Sequence, residues 1–423
     1  MGAASTVELG DIAEFINGGA WNQSAYAERG APVVRVSDIH NYTVDLSNCK
    51  YLSESALEKY SKNILKEGDL VICTVGSHPT QPNSVVGRPG IMPKSCDGAL
   101  LNQNAVCIRP ISEKLDRSWL GYLAKSQTMK DHIIAHARGS ASQVRVAIGA
   151  LKSFKFELPS IETQTRVASM LEAYDNLIEN NNRRIAILED MAQSLYREWF
   201  VKFRFPGYQD CEFQESELGL IPEGWEVRRF GELVHFLRES QKKGAVSENT
   251  PYMGLEHFPR KSLSLSQWDL VNKIGSSKLK FQKGDILFGK IRPYFHKVGV
   301  AQTDGLCSSD TFVWRTIEKE HFGLATGVVF SDNFVAHSVK TSQGTKMPRA
   351  NWDVLKEYSV AVPSQELLEP FNEFTTCVIS EIAILSKKNR NLKKQRDILL
   401  PKLISGEIAS YPYDVTSSGA IEK

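Results

Sequence analysis

The chain has 423 residues, of which 42% are hydrophobic and 24% charged, a composition that predicts two or three globular domains. A formal net charge of only +2 excludes general polyelectrolyte binding of nucleic acid, so any basic surface must be local. The seven cysteines are scattered without CxxC spacing, which excludes a disulfide framework and a zinc site. No apolar run approaches the roughly 18 residues of a membrane span, and a cytoplasmic protein is expected.

Residues 1–158 are expected to form a β-rich domain. Short runs of β-branched and apolar residues alternate there with Gly- and Asp-containing turns, as in Lys66–Val75, KEGDLVICTV. A Gly-Asp pair before a hydrophobic strand is typical of turns, so we interpret Asp69 as structural rather than catalytic. His132 and His136 would share a helix face, but no third ligand lies near them in the sequence, and no metal site is predicted.

Polar loops of this domain carry side chains of the types that read base edges or hold phosphates. One loop is Ser77–Gly90, SHPTQPNSVVGRPG, and the other is led by Gly139. For any single residue a solvated surface role is an equal alternative. The candidate DNA-binding residues are Ser77, Asn83, Arg88, Arg138, Ser140, Gln143 and Arg145.

Residues 159–204 are expected to form a long helix. Ser160 is its predicted N-cap, and Glu162 lies in the first turn, where the helix dipole favours an acid. Apolar residues then recur in alternating steps of four and three, the heptad spacing of a coiled-coil seam. The seam of this helix is Leu171, Tyr174, Ile178, Asn181, Ile185 and Leu188.

After a linker, residues 205–225, the chain repeats the same order. A second β-rich domain, residues 226–362, precedes a second long helix, residues 363–408, and residues 409–423 are expected to be a disordered tail. The helices align at an offset of 204 without a gap, and we expect Pro401 to break or kink the second one. The second seam is Val378, Ile382, Leu385, Asn389 and Leu392.

The matching continues inside the second domain, where Gln282–Ile291, QKGDILFGKI, resembles the Gly-Asp segment of the first. Its Asp285 is accordingly interpreted as a turn residue. The loops that follow are basic and equivalent to those of the first domain. The candidate DNA-binding residues here are Lys290, Arg292, Tyr294, Lys297, Lys346 and Arg349.

The repeat predicts an α+β protein, in which two β-rich domains are linked by two long antiparallel coiled-coil helices. Parallel pairing is the alternative, and it would place the domains side by side. Asn181 and Asn389 each lie near the middle of a seam, where a polar residue costs stability but can specify register. We favour this register role slightly over simple tolerance of asparagine in long helices.

No catalytic motif is present in the sequence. The phosphate loop GxxxxGK[ST], a GxGxxG loop after a strand, the GxSxG elbow and the HExxH zinc motif are all missing. The Asn-Pro-Pro and Asp-Pro-Pro aromatic tetrapeptides of amino-methyltransferases are also missing. The pattern therefore favours a binding protein that reads a bipartite target.

Four segments, in their order along the chain, resemble the specificity subunit of type I restriction–modification systems. They are the first Pro-Ser helix start, LPS; the segment Glu217–Trp225, ELGLIPEGW; the second Pro-Ser helix start, VPSQE; and the closing Leu400–Ile408, LPKLISGEI. The resemblance covers nearly the whole chain and implies two target-recognition domains, each of which contacts one half of a split double-stranded DNA sequence.

The resemblance also implies the partners. Two methyltransferase subunits would use S-adenosylmethionine to methylate adenine, and restriction subunits would use ATP and magnesium, while this chain would bind no cofactor or metal. The host would be a bacterium or archaeon. Tyr196, Trp199 and Phe200, expected to be exposed, would form a docking surface for the methyltransferase, although packing within the helix pair is an equal alternative.

Two other functions stay open at this point. One is a two-headed scaffold that binds protein partners, and the other is an enzyme with a dispersed site. The basic loops favour DNA over the scaffold, and a steep fall of affinity with salt would distinguish the two.

Overall fold

A computed structural model of the chain describes residues 5–40, 42–81, 84–140, 143–344 and 346–408, without the side chains of Ser5 and Ser140. The tail, residues 409–423, and Asn83 lie outside these residues. The chain forms two compact units. Unit 1 takes in the chain up to Asp175 and again from Lys394, and unit 2 takes in Asn176–Lys393. We call residues 5–158 the first head and residues 226–362 the second head.

The first head contains short strands and short helices. Its strands are β1 (Ser5–Glu8), β2 (Ala13–Asn17), β3 (Tyr26–Ala27), β4 (Ala31–Val34), β5 (Ile39–His40), β6 (Thr43–Val44), β7 (Lys50–Leu52), β8 (Leu70–Cys73), β9 (Val75–Gly76), β10 (Pro89–Ile91), β11 (Leu100–Leu101), β12 (Ala105–Pro110), β13 (Arg138–Ser140), β14 (Gln143–Arg145) and β15 (Lys155–Leu158). Its helices are α1 (Leu9–Ile12), α2 (Ser55–Lys59), α3 (Arg117–Lys125), α4 (Gln127–His136) and α5 (Ile148–Lys152). The main sheet has the order β2-β12-β8-β10-β6-β5, and a second sheet has the order β11-β4-β7-β3.

The long helix α6 (Ile161–Tyr196) follows the first head and ends in a π-helical turn, Arg197–Val201. The strands after it are β16 (Phe213–Ser216), β17 (Gly219–Pro222), β18 (Glu226–Arg229), β19 (Val234–Leu237), β20 (Ser240–Gln241), β21 (Gly244–Met253), β22 (Ser264–Leu265), β23 (Asp269–Ile274), β24 (Lys278–Phe281), β25 (Ile286–Gly289), β26 (Val298–Ala301), β27 (Gly305–Cys307), β28 (Thr311–Thr316) and β29 (Ser359–Val362). The helices are α7 (Phe230–Leu233), α8 (Phe322–Phe330), α9 (Asp332–Lys340), α10 (Trp352–Leu355) and the long α11 (Gln365–Ile404). The sheets of the second head run β19-β28-β25-β26-β22 and β20-β24-β27-β21-β23.

Both heads are built on the same plan, which confirms the expected α+β tandem repeat. In each, the first and last strands pair antiparallel, β1 with β15 and β18 with β29, so that the head closes where it joins a long helix. The helix pairs α3–α4 and α8–α9 are also equivalent. The hydroxyl of Ser126 caps α4 and that of Ser331 caps α9, each accepting a backbone N–H. Of these helices, the sequence predicted only the helical face shared by His132 and His136, which lies in α4.

The Gly-Asp turns carry a buried ion pair in each head. Asp69 is completely buried, and Arg109 from β12 donates to both of its carboxylate oxygens, Nε–Oδ1 at 2.9 Å and Nη2–Oδ2 at 2.6 Å. Arg315 from β28 donates in the same way to Asp285, at 2.7 and 2.9 Å. Each carboxylate also accepts a backbone N–H from its own turn. Such bidentate pairing explains how the charge can be buried, and it agrees with a structural role for both aspartates.

The long helices pack against each other in an antiparallel arrangement within unit 2. Asn181 contacts Asn389, and Arg184 contacts Glu381. Residue numbers therefore increase along α6 while those of the contacting residues decrease along α11. Ile185, Ala192, Val378, Ile382 and Leu385 form a hydrophobic cluster between them. Within unit 1 the same direction holds, because Arg396 forms an ion pair with Asp175 while Leu403, further along α11, shares a core with Val167 and Leu171, earlier on α6. Heptad spacing thus buries one narrow stripe of each helix.

Most of the predicted seam is buried. Tyr174, Leu188 and Leu392 are half-buried, and the buried members are Leu171, Ile178, Asn181, Ile185, Val378, Ile382, Leu385 and Asn389. The break expected at Pro401 does not occur, because α11 continues to Ile404. Leu403 belongs to the core of the first head, and Leu399 and Leu400 pack against it, so tertiary packing holds the last turn despite the missing N–H.

Polar contacts attach each head to α6 and, in unit 2, also to α11. In unit 1, Asp175 on α6 accepts from the Tyr122 hydroxyl at 2.9 Å and lies 3.4 Å from Lys125 and within ion-pair distance of Arg396 on α11. In unit 2, Glu189 on α6 accepts from the Ser262 hydroxyl and the Leu263 N–H, both at 2.7 Å, and burial raises its pKa. Ser386 on α11 contacts Ser264 at 2.5 Å.

Among the described residues, no helix is long and apolar enough to cross a membrane. The seven cysteines all lie in the described part of the chain and are free thiols.

Replacing Arg109 with Leu is expected to lower the free energy of unfolding by about 3–5 kcal/mol, because the Asp69 carboxylate would stay buried without its partner. Chemical denaturation of the full chain measures this loss. The control is Arg29→Leu, a change at an exposed position of the same head, which should cost less than about 0.5 kcal/mol. Equal effects of the two changes would show that the buried pair contributes nothing specific.

Replacing Asn181 with Leu is expected to cost about 1–3 kcal/mol, because Asn389 would lose the amide that donates to its Oδ1 at 2.9 Å inside the seam. The double change Asn181→Leu with Asn389→Leu should recover most of that loss, since two apolar residues pack well at seam positions. Denaturation of single and double variants gives the coupling energy. Additive losses, or a loss as large for the exposed Asn391→Leu, would contradict the pairing.

Candidate nucleic-acid interface

In the first head, a small sheet of order β13-β14-β9 brings together the candidate loops. Arg145 of β14 lies opposite Val75 of β9 and Arg138 of β13, and Ser140 lies opposite Gln143. Val144 points inward and is 1% exposed, so Gln143 and Arg145 point to solvent. Because directly paired residues share a face, Arg138 and Arg145 lie on the same face of this sheet, and both are exposed.

The other candidates of this head whose side chains are described take part in hydrogen bonds within the head. The guanidinium of Arg88 donates to the carbonyls of Ile39 at 3.2 Å and Ser84 at 3.1 Å. The carbonyl of Ser77, which follows β9, accepts from the Ser84 hydroxyl at 2.6 Å. Arg138 donates to the carbonyls of Ala135 and Ala137. Gln143 and Arg145 are therefore the most available contacts among the described candidates of this head.

At the equivalent place the second head has two isolated antiparallel bridges instead of a small sheet. Arg349 pairs with both Ile291 and Gln343. The carbonyl of Lys290 accepts from the N–H of Ala350 at 2.9 Å, and the N–H of Arg292 donates to the Pro348 carbonyl at 2.8 Å. The backbone thus places Lys290 and Arg292 beside the strand that carries Arg349, and the exposed Lys346 lies three residues before it.

The loop that follows Arg292 is locally strained. Arg292 and His296 both have φ near +50°, the left-handed region that non-glycine residues rarely adopt. The Nε of Arg292 is buried without a hydrogen-bond partner among the described residues, whereas Tyr294 is 51% exposed. Lys297 donates to the Leu255 carbonyl, and burial lowers its pKa. The structure therefore leaves Tyr294 more accessible than Lys297.

The candidate metal ligands have other partners. Nε2 of His132 lies 2.7 Å from the Ala150 carbonyl, and Nδ1 of His136 lies 2.8 Å from the carbonyl of His132. In the part of the chain that the structure describes, no group of His, Cys, Asp or Glu side chains is arranged to hold a metal ion.

The expected exposure of the aromatic residues near the end of α6 is wrong for Tyr196 and Phe200, which are only 7% and 6% exposed. The Tyr196 ring lies against Gly327 of α8, where a Cβ would meet ring carbon Cδ2 at 2.5 Å. Phe200 packs against Trp225 and Phe371, with ring centroids 5.7 and 4.6 Å apart. Trp199 is half-buried against the same core. The burial of these residues depends on contacts with segments distant in sequence, which a local pattern does not reveal.

Arg238 and Gln343 were not identified from the sequence. Arg238 follows β19, which pairs with β28, so it approaches the interface through strands about 75 residues apart in sequence. Gln343, which forms a bridge to Arg349, lies one residue before the repeated segment that begins at Gly344. A comparison of loop sequences could not find either residue, because neither belongs to a repeated segment.

Residues 3–190 match the family model of the type I restriction modification DNA specificity domain. Similar proteins include the type I restriction enzyme MjaIX specificity subunit of Methanocaldococcus jannaschii, which is 24% identical in an alignment that covers 86% of this chain and 85% of the relative. The EcoDI specificity subunit of Escherichia coli is 26% identical in an alignment that covers 62% of each chain. The crystal structure of a type I restriction–modification S subunit from M. genitalium shares the fold, with a TM-score of 0.59 and 14% identity over 95% of this chain and 96% of that one.

Replacing Gly139 with Ala is expected to disrupt the small sheet of the first head. Gly139 has φ +135°, and an added Cβ would lie 2.3 Å from the carbonyl oxygen of Gln143, so the change should cost about 2 kcal/mol or more. Hydrogen exchange should become faster at the amides of Arg138–Ser140 and Gln143–Arg145. The control is Gly149→Ala, whose Cβ would meet nothing within 4 Å. If exchange stays slow in Gly139→Ala, the pairing of β13 with β14 is not maintained by this glycine.

Proposed function

Because the chain belongs to the family of type I restriction–modification specificity subunits, we propose that it reads DNA for a methyltransferase and restriction complex and has no catalytic site of its own. The observation that carries the proposal is that equivalent loops are held by strand pairing in both heads, by the small sheet β13-β14-β9 in the first and by the Arg349 bridges in the second. Each gathers Arg, Lys and Gln side chains at the surface, where they can contact phosphates and base edges. Two related but different heads are suited to recognising the two unlike halves of a split DNA site.

In this proposal each head reads one half of the site, through Gln143 and Arg145 in the first head and Lys290, Arg292, Tyr294 and Arg349 in the second. The gap between the halves has a constant length. The remaining candidates, Ser77, Arg88, Arg138, Lys297 and Lys346, support these contacts or hold phosphates. Asn83 and the side chain of Ser140 are candidates from the sequence alone.

The partners follow from the family. Two methyltransferase subunits supply S-adenosylmethionine chemistry on adenine, and restriction subunits supply ATP- and magnesium-dependent translocation and cleavage, in the cytoplasm of a bacterium or archaeon. No cofactor is assigned to this chain. A docking surface for the methyltransferase on the helix pair would include the half-buried ring of Trp199, since Tyr196 and Phe200 are already packed inside unit 2.

The proposal is tested by mapping methylated adenines in a methylation-free host that expresses the cognate methyltransferase gene with or without this chain. We expect one split motif with a fixed gap to be methylated only when this chain is present. An identical methylation pattern in both strains would contradict the proposal. That result would favour the alternative of a scaffold that binds protein partners, for which the affinity should not fall steeply with salt.

Replacing Arg145 with Gln is expected to weaken binding to one half of that motif. If Arg145 contacts a base, discrimination at one position should fall by about 1–3 kcal/mol; if it contacts a phosphate, affinity should fall for all sequences alike. Competition binding with duplexes altered in either half measures the effect. The exposed Arg183 on α6 provides a control of equal charge, Arg183→Gln, which should leave both halves unchanged. A loss of discrimination in both halves at once would contradict the assignment of one half to each head.

A further inference from the structure

A cleft of about 460 Å³ opens in the second head beside the Arg349 bridges. Its floor is aromatic: Phe236 lies 5.2 Å from Phe312 and 5.4 Å from Trp352 between ring centroids. Arg238, Lys290 and Arg349 also line the cleft. The combination of a planar apolar floor and converging cations distinguishes it from an ordinary solvated surface.

Two of the cations lie over the aromatic floor. The guanidinium carbon of Arg238 is 4.5 Å from the centroid of Phe236, and Nζ of Lys290 is 4.7 Å from that of Phe312. Lys290 also donates to the Ser309 carbonyl at 2.8 Å. Burial lowers the pKa of Lys290; Asp310 opposes that shift, while Arg238 and Arg349 add to it. The like charges are therefore close enough to affect one another.

The carboxylates near the cleft do not balance these charges. Asp310 lies 3.4 Å from Arg349, and Asp353 lies 3.4 Å from Lys356. Arg238 has no ion-pair partner within 4 Å among the described residues of this chain. Its N–H groups are held over a ring face and stay available to an acceptor. A tetrahedral anion would accept hydrogen bonds from several of these donors, and the low dielectric of the aromatic floor would strengthen them.

The equivalent place in the first head lacks this chemistry. Thr74 occupies the position of Lys290: its N–H donates to the Asn104 carbonyl and its carbonyl accepts from Val146, as those of Lys290 pair with Asp310 and Ala350. Asn17 stands in place of Arg238, since Phe15 in β2 and Phe236 in β19 face equivalent residues of β12 and β28. Of the cleft cations, the first head retains the equivalent of Arg349, namely Arg145. The cleft is a divergent feature of the second head.

We propose that this cleft holds a phosphodiester group of the DNA backbone next to the half-site read by the second head, with Arg238, Lys290 and Arg349 as its donors. The proposal rests on the proposed function and deepens it. Double-stranded DNA presents one negative charge about every 1.7 Å along its axis, so a backbone phosphate lies near any surface that follows the groove. The cleft would fix the position of the second head on the duplex, and the first head would lack this phosphate contact.

The test uses the full chain purified with its methyltransferase subunits and a duplex that carries the motif mapped in vivo. The dissociation constant is measured against salt for the wild type, Arg238→Gln and Arg238→Lys. Each lost phosphate contact should lower the slope of log K against log salt by about 0.9, so Arg238→Gln should lose about that much and Arg238→Lys should retain most of it. The matched control is Lys319→Gln, an exposed lysine beyond the far end of β28, which should leave the slope unchanged.

A second arm locates the phosphate. Single methylphosphonate substitutions, each of which removes one backbone charge, are placed along the duplex. We expect one position beside the second half-site at which neutralisation weakens the wild type but has no further effect on Arg238→Gln. Thermal unfolding confirms that the variants are folded.

The outcomes separate the two proposals. If the wild type binds the motif and folded Arg238→Gln keeps the full salt slope, or if no neutral phosphate couples to Arg238, the cleft proposal is overturned and the proposed function stands. If the wild-type complex shows no preference for the motif, the proposed function itself fails, and the cleft assignment fails with it.

Discussion

A long helix whose apolar residues recur with heptad spacing is stable only when that apolar stripe is buried, and the architecture depends on this constraint. α6 and α11 bury part of the stripe against each other in an antiparallel arrangement and the rest against the heads. As a consequence, one hydrophobic cluster of each head includes residues of both long helices. Val167, Leu171 and Leu403 complete the core of the first head, and Tyr196, Phe200 and Phe371 complete that of the second. Each folding unit is therefore a head together with one part of both helices.

A comparison of the two heads distinguishes the structural features that occur in both from the features that differ between them. The buried Asp–Arg pairs, the paired terminal strands and the Ser-capped helices occur in both heads and serve the framework. The attachment to the helices and the surface chemistry differ, with the Asp175 cluster in unit 1, the Glu189 contacts in unit 2 and a cationic cleft in the second head. Such a division is expected of a protein in which one scaffold presents two different DNA-reading surfaces.

The sequence was most informative where a pattern is local. Heptad steps, Pro-Ser helix starts and Gly-Asp turns depend on neighbouring residues, and they predicted the long helices, their seams and the structural role of Asp69 and Asp285. Features that depend on contacts between distant segments were missed. The burial of Tyr196 requires Gly327, the approach of Arg238 requires the pairing of β19 with β28, and the persistence of α11 past Pro401 requires the core of the first head. Which loop side chains touch DNA depends on a partner that no sequence pattern describes.

The central claim is that the heads read separate halves of one site on a shared helical frame. The most direct test replaces residues 1–158 with the corresponding head of another family member, chosen to keep the contacts of Asp175 and Arg396, and maps adenine methylation in cells. The account predicts that one half of the motif changes while the other half and the gap stay the same. A change in both halves, or in the gap, would contradict it.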